Sequence, residues 1–157
     1  MMIRRIADAD FPAVARLAEQ VIGSSPYYSE VERRENIARY TTAALLERRD
    51  DDREVAVAVQ GGAVLGFVDV EFDGGPGAPL YVRWIITDPS ARRLGVARSL
   101  LSWALAYGAA YGSYKVYADT ANENTEAAKL FRRAGYRPEG VQWAIHMSGG
   151  SPEDPAT

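Results

Sequence analysis

The stretch Asp88–Leu101, DPSARRLGVARSLL, gathers residues whose types and spacing could do chemistry. Arg92, Arg93 and Arg98 supply full positive charge, while Gly95 and Ala97 leave the backbone open to close approach. The stretch follows a hydrophobic strand and opens a helix, so several of the first backbone N–H groups have no intrahelical acceptor. The helix dipole adds partial positive charge there, which makes the whole a cradle for an anion, phosphate above all. A tight packing corner accounts for the same small residues, and the stretch alone leaves both readings open. It is not a P-loop, because no Gly-Lys-Ser or Gly-Lys-Thr follows. Only Gly95 matches a G-x-G-x-x-G dinucleotide fingerprint, and the preceding strands read as antiparallel.

Composition narrows the rest. The chain has 157 residues, no cysteine and one histidine, His146. Disulfides, thiolate metal sites and a cysteine nucleophile are excluded, and a multi-histidine zinc centre is not available. No metal is expected. A serine hydrolase would need His146 as its base, with no nucleophile elbow to accompany it. A formal charge of -3 argues against a protein built to neutralise nucleic acid, since the arginines are scattered among acids. No run of about 18 apolar residues points to a membrane span, and the N-terminus lacks the apolar centre of a signal peptide, so the expected location is the cytoplasm.

The elements that must position this stretch read as β α α β β β α β α β. Residues 1–11 give a strand and a turn, after which Phe11, Val14, Leu17, Ala18, Val21 and Ile22 recur at helical spacing, with Asp8 or Asp10 as cap. Ser29–Arg49 reads as one helix with Val31, Ile37, Tyr40, Ala44 and Leu45 inward, and Asp50–Asp52 as a solvated turn. Strands follow at Glu54–Gln60, Ala63–Asp73 and Leu80–Thr87, the first two joined by a Gly61-Gly62 hairpin. The helix after Asp88 carries Leu94, Ala97, Leu100, Leu101, Ala104 and Leu105 on one side. Tyr114–Asp119 reads as a strand, Asn124–Gly135 as a helix ended by its glycine, and Val141–Met147 as a last strand, with 148–157 a disordered tail. The expectation is one α+β domain over 1–147, a mixed, mostly antiparallel sheet of six to seven strands flanked by four helices.

Two segments together carry a family resemblance. RRLGVA fits R-x-x-G-x-A, and NTEAAKLFRRAGY fits N-x-x-A-x-x-L-F-x-x-x-G-Y through Asn124, Ala127, Leu130, Phe131, Gly135 and Tyr136. With the element order, they resemble the GNAT superfamily of acyl-coenzyme A-dependent N-acetyltransferases from about Ile3 to Met147. The resemblance implies acetyl-coenzyme A as donor cosubstrate, with backbone amides of Arg93, Leu94, Gly95, Val96, Ala97 and Arg98 on its pyrophosphate and Arg92 also at the cofactor. It implies that Ile85, Ile86 and Thr87 bond the pantetheine arm, whose amides suit an exposed strand edge. It sets Asn124 and Phe131 beside the cofactor, Asn124 doubling as a helix cap, and it allows a homodimer.

Acyl transfer to an amine needs a neutral amine, a polarised carbonyl and a proton for the leaving thiolate. The resemblance implies an amide near Ile85 or Ile86 for the carbonyl. Phe131 stands where many relatives carry a proton-donating tyrosine, so Tyr81, Tyr117, Tyr136 or water must serve, or catalysis is weak. Candidate bases are Asp69, Glu71 and Asp119, each also readable as an ordinary exposed carboxylate, with Asn124 as a further contact at the acyl end. Strand alternation sets Phe67, Asp69 and Glu71 on one face and Val68, Val70 and Phe72 on the other. The acceptor, an amine of a small molecule or peptide, is expected between the first helices, near Tyr27, Tyr28, Glu30 and Glu32. Two functions remain: an N-acetyltransferase working by direct attack in a ternary complex, or a non-catalytic acyl-coenzyme A-binding module or sensor.

Overall fold

Gly61 and Gly62 take φ values of 57° and 78°, a turn that only residues tolerant of the left-handed region make cheaply, and they fold two β-branched runs into a hairpin. A computed structural model describes residues 1–47, 52–140 and 143–147. The strands are β1 (Met2–Arg5), β2 (Arg53–Gln60), β3 (Ala63–Phe72), β4 (Leu80–Thr87) and β5 (Val116–Ala118). They lie side by side in the order β1-β2-β3-β4-β5, antiparallel except for the parallel pair β4–β5. The helices are α1 (Phe11–Gly23), α2 (Glu30–Ala38), α3 (Thr42–Glu47), α4 (Val96–Ala110) and α5 (Thr125–Arg133).

The sheet separates two cores. Phe11, Val14, Leu17 and Ile22 of α1 pack with Tyr40, Leu45, Val57 and Phe67 on one face. On the other, Val96, Leu100 and Ala104 of α4 meet Val68, Val70, Leu80 and Val82. Alternation along β3 divides Phe67 from Val68 and Val70 as the sequence predicts.

Five expectations change. The fold class holds, but the described residues form five strands and five helices rather than six or seven strands and four helices. Trp143–Met147, the described part of the expected last strand, pairs with nothing in the sheet, and Trp143 and Ile145 are both 91% exposed; Val141, Gln142 and the expected tail lie outside the described residues. The expected helix over Ser29–Arg49 is two. A capping box starts α2, Ser29 Oγ accepting from Glu32 N at 3.2 Å while Ser29 N donates to Glu32 Oε2 at 2.7 Å. It stops at Ala38 because Tyr40 turns into the core, and Thr41 Oγ1 then accepts from Ala44 N at 3.2 Å to begin α3. On α4 the buried stripe is Val96, Leu100, Leu101, Ala104 and Gly108, whereas Leu94 and Leu105 face outward. Asp10 precedes α1 without capping it by side chain; its carboxylate accepts from Ala7 N at 2.7 Å and pairs with Arg4.

Candidate active site

The site begins where two strands part. β4 and β5 pair as Leu80↔Val116, Tyr81↔Tyr117 and Val82↔Ala118, and there the register ends, while β4 continues to Thr87 along β3 alone. At the same point β4 carries a bulge: Val82 faces Val70 and Trp84 faces Asp69, leaving Arg83 as an extra residue. Before the bulge Leu80 N donates toward β5, to Lys115 O at 2.9 Å; beyond it Asp88 N donates toward β3, to Leu65 O at 2.8 Å. Even-numbered amides thus change sides, and the amides of Ile85 and Thr87 face the open side of the fork. Ile86 directs its amide to β3 and its buried side chain to the α1 core.

The Asp88–Leu101 stretch lies at the far end of β4. A 3-10 turn at Pro89–Ala91 is capped by Asp88, whose carboxylate accepts from Ser90 N at 2.9 Å. Arg93 and Gly95 take φ of 69° and 76°, and Gly95 is the side-chain-free N-cap of α4. The amides of Val96, Ala97 and Arg98 therefore open the helix without intrahelical acceptors. Ala91 and Val96 are buried while Arg92, Arg93, Leu94, Gly95 and Arg98 are exposed, so the packing corner and the open cradle both exist, on opposite sides of one loop. Close packing falls instead on Gly66 of β3, where a Cβ would lie 2.4 Å from Ile86 O and 2.9 Å from Val96 Cγ1. In the sequence Gly66 is marked only as a lone glycine inside a strand pattern, the signal of a close backbone approach.

The carboxylates of the opposite face differ in what holds them. Asp69 is fully buried; Arg53 donates to it from Nε at 2.8 Å and Nη2 at 2.7 Å, and the Tyr40 hydroxyl donates at 2.5 Å. Burial and then the Asp69 charge push the Tyr40 phenol well above its ordinary value. Glu71 pairs with Arg83, the bulge residue. Asp119, just past β5, is exposed and makes no ion pair among the described residues. It neighbours Tyr81, whose phenol is pushed up to about 12 by burial and then by Asp119, and it contributes with Glu32 to the rise at half-buried Tyr28. The rings of Tyr81 and Tyr117 lie 5.1 Å apart, and those of Tyr28 and Trp84 5.3 Å. Trp84 Nε1 donates to Asn36 Oδ1 at 2.9 Å, tying α2 to β4 beyond the bulge. A cleft of about 480 Å3 opens beside the fork, lined among others by Asp52, Glu71, Asp73, Tyr81, Arg83 and Tyr117.

The sequence pattern of the acetyltransferase (GNAT) family matches residues 8–136. The chain belongs to this family. Solved structures agree in fold. An aminoglycoside N-acetyltransferase AAC(6')-Iy in complex with CoA is 20% identical at a TM-score of 0.73, over 94% of each chain. A transcriptional regulator from Bacillus halodurans C-125 is 17% identical at a TM-score of 0.72, over 93% of this chain and 99% of that one. An aminoglycoside acetyltransferase from an uncultured soil metagenomic sample, in complex with sisomicin, is 15% identical at 0.67, over 94% and 96%. No curated protein matches the chain.

Within this GNAT domain the second motif forms α5. Asn124 is its N-cap, Oδ1 accepting from Ala127 N at 3.1 Å, which leaves the side-chain NH2 for another partner. Phe131 is half-buried, with its ring edge-on to Tyr136 at 5.1 Å. The Tyr136 hydroxyl is buried without a hydrogen-bond partner among the described residues, and burial pushes its phenol up to about 12. Among the described residues no helix is long and apolar enough to cross a membrane.

Proposed function

We propose that residues 1–147 form one N-acetyltransferase domain that transfers the acetyl group of acetyl-coenzyme A to a primary amine of a small molecule or protein, by direct attack within a ternary complex in the cytoplasm. The observation that carries this reading is the fork after Val82 and Ala118, with a fork-facing amide at Ile85 and the open start of α4 at its end. The cradle fits a diphosphate. The Gly95 position has nothing within 4 Å of a would-be Cβ, so the backbone is open to approach, and Arg92, Arg93 and Arg98 surround it with charge. Bound there, acetyl-coenzyme A supplies an activated acyl group on a thiol whose ordinary pKa is about 8.5.

The chain does the rest by position. The amides of Val96, Ala97 and Arg98 bind the anion, and Ile85 and Thr87 offer strand-edge hydrogen bonds to the pantetheine arm. The Ile85 N–H donates to the carbonyl oxygen as negative charge grows there. Asp119 accepts the proton that the ammonium must lose before attack. Asp69 and Glu71 act through others: Asp69 anchors Arg53 and Tyr40 beneath the strands, and Glu71 holds Arg83 in the bulge. Asn124 uses its free amide NH2 toward the cofactor, and Phe131 packs beside it. Tyr81, Tyr117 and Tyr136, with phenols pushed up to about 12, are poorly matched to a thiol of pKa about 8.5, whose thiolate near neutral pH leaves as the anion and takes its proton from bulk solvent.

The test is release of free thiol from acetyl-coenzyme A in the presence of polyamines, amino acids, aminoglycosides and peptides. Release with at least one class is expected. A chain that binds coenzyme A yet releases thiol with none of them is the acyl-coenzyme A sensor, the reading that Phe131 in place of a proton-donating tyrosine favours.

A further inference from the structure

Arg53, Asp69, Arg83 and Glu71 bring four charges of alternating sign together on the face of the sheet that Tyr40 covers. Arg53 of β2 is the register partner of Glu71, and it grips Asp69 through Nε and Nη2. Arg83, the extra residue of β4, lies between Tyr81, opposite Glu71, and Trp84, opposite Asp69, and it bonds Glu71. Burial works against the charge on Arg83, yet the bond to Glu71 and the field of Asp69 hold its guanidinium above the ordinary value, so both carboxylates pull on the bulge residue. The Tyr40 hydroxyl donates to Asp69 from the α2–α3 junction, which keeps that carboxylate from following Arg83 outward. Stability does not account for the arrangement. The Arg53 and Asp69 side chains are 7% and 0% exposed, and taking such a pair out of water costs about as much as the pairing returns. Arg53 Nη1 and Arg83 Nε are buried with no hydrogen-bond partner among the described residues, a further cost. What a buried ion pair can supply is a single arrangement where an apolar core allows several.

Resting on the acetyltransferase reading, we propose that Arg53 and Arg83 are positioning residues for acyl transfer: Arg53 fixes Asp69, Asp69 and Glu71 together hold Arg83 in the bulge, and the bulge bends β4 away from β5 so that the Ile85 and Thr87 amides meet the pantetheine arm. The bulge falls where the β4–β5 register ends, at Val82 and Ala118, so a charge array on one face of the sheet acts on a gap at the strand edge. None of the four side chains has to touch the cofactor. They act through the path of β4.

Calorimetry of coenzyme A against its nucleotide half, adenosine 3′-phosphate 5′-diphosphate, reads the fork without turnover, because both carry the diphosphate and only coenzyme A carries the arm. In Arg83→Met, which leaves the buried Arg53–Asp69 pair intact, coenzyme A is expected to bind about tenfold more weakly, the loss of one or two strand-edge hydrogen bonds, with the affinity of the nucleotide half unchanged. Arg83→Lys recovers most of that loss. Glu71→Gln, distant in the chain from Ile85, and Arg53→Lys, which keeps the buried charge but not its two-pronged bond, each give a smaller loss of the same kind. Equal losses for the two ligands mark a role in the fold alone and overturn the proposal, as do full coenzyme A affinity in Arg83→Met and an unaltered chain that binds coenzyme A no better than its nucleotide half. A selective loss of coenzyme A affinity, in a chain that releases thiol with no amine, supports the positioning role and counts against the acetyltransferase reading, so the two failures are distinct.

Discussion

At the scale of single residues the proposed chemistry turns on Asp119 and Phe131. Asp69 and Glu71 are each held by an arginine, whereas Asp119 lies exposed beside Tyr28 and Tyr81. Asp119→Asn is therefore expected to lower kcat at pH 7 by about a hundredfold, the lower end of general-base effects, with the KM for acetyl-coenzyme A unchanged; a drop under threefold points to a water chain instead. Phe131→Tyr introduces a hydroxyl at the position where the GNAT resemblance implies a proton donor and is expected to raise turnover, read as initial thiol-release rates. An unaltered rate shows that water protonates the thiolate adequately. The motif residues around Gly95 and Asn124 were legible in the sequence because both types favour helix starts and the residues after them keep the spacing of the two motifs. Which carboxylate is left unpaired was not legible, since Arg53 and Arg83 reach Asp69 and Glu71 only through strand pairing between β2, β3 and β4.

Among the elements, β3, β4 and α4 form the frame on which the fork depends. Gly66 lets all three approach, and Gly66→Ala places a methyl within 2.4 Å of Ile86 O. Backbone has to move, at a cost of about 1–3 kcal/mol. The expected outcome is a lower midpoint in denaturant melts together with weaker coenzyme A binding by calorimetry; full affinity in this variant would show that the α4 start is set independently of β3. The hairpins and helices were readable because period-two and period-3.6 patterns are strong in this chain. The break between α2 and α3 was not, because Tyr40 fits a helical stripe while its hydroxyl answers to Asp69 on a distant strand. Nor was the bulge, since an extra residue leaves the composition of β4 unchanged.

For the molecule as a whole, ligand linkage and titration make two separable predictions. Coenzyme A at about 100 times its dissociation constant is expected to add roughly 2.7 kcal/mol, or about 5 to 10 °C in a thermal melt. No shift at saturation argues against the cradle. The alkaline limb follows from the tyrosines. Tyr40, Tyr81, Tyr117 and Tyr136 all have folded-state phenols above their ordinary value, burial being the first cause in each. An unfolded chain releases those protons from about pH 10 while the folded chain keeps them, so stability is retained below that point and declines as pH rises through it. Denaturant melts at pH 8 and above pH 10 check the sign, and Tyr40→Phe is expected to flatten the decline. One more consequence concerns the extra residue at Arg83. Because Val82 and Trp84 already face the consecutive residues Val70 and Asp69, removing that residue would close the ladder into plain alternation with Trp84 and Ile86 still turned to the same core, and would take away only the local kink and the cation that holds Glu71. A single-residue deletion there would straighten β4 at the point where it leaves β5, a probe of the fork in which every residue proposed to do the chemistry remains in the chain.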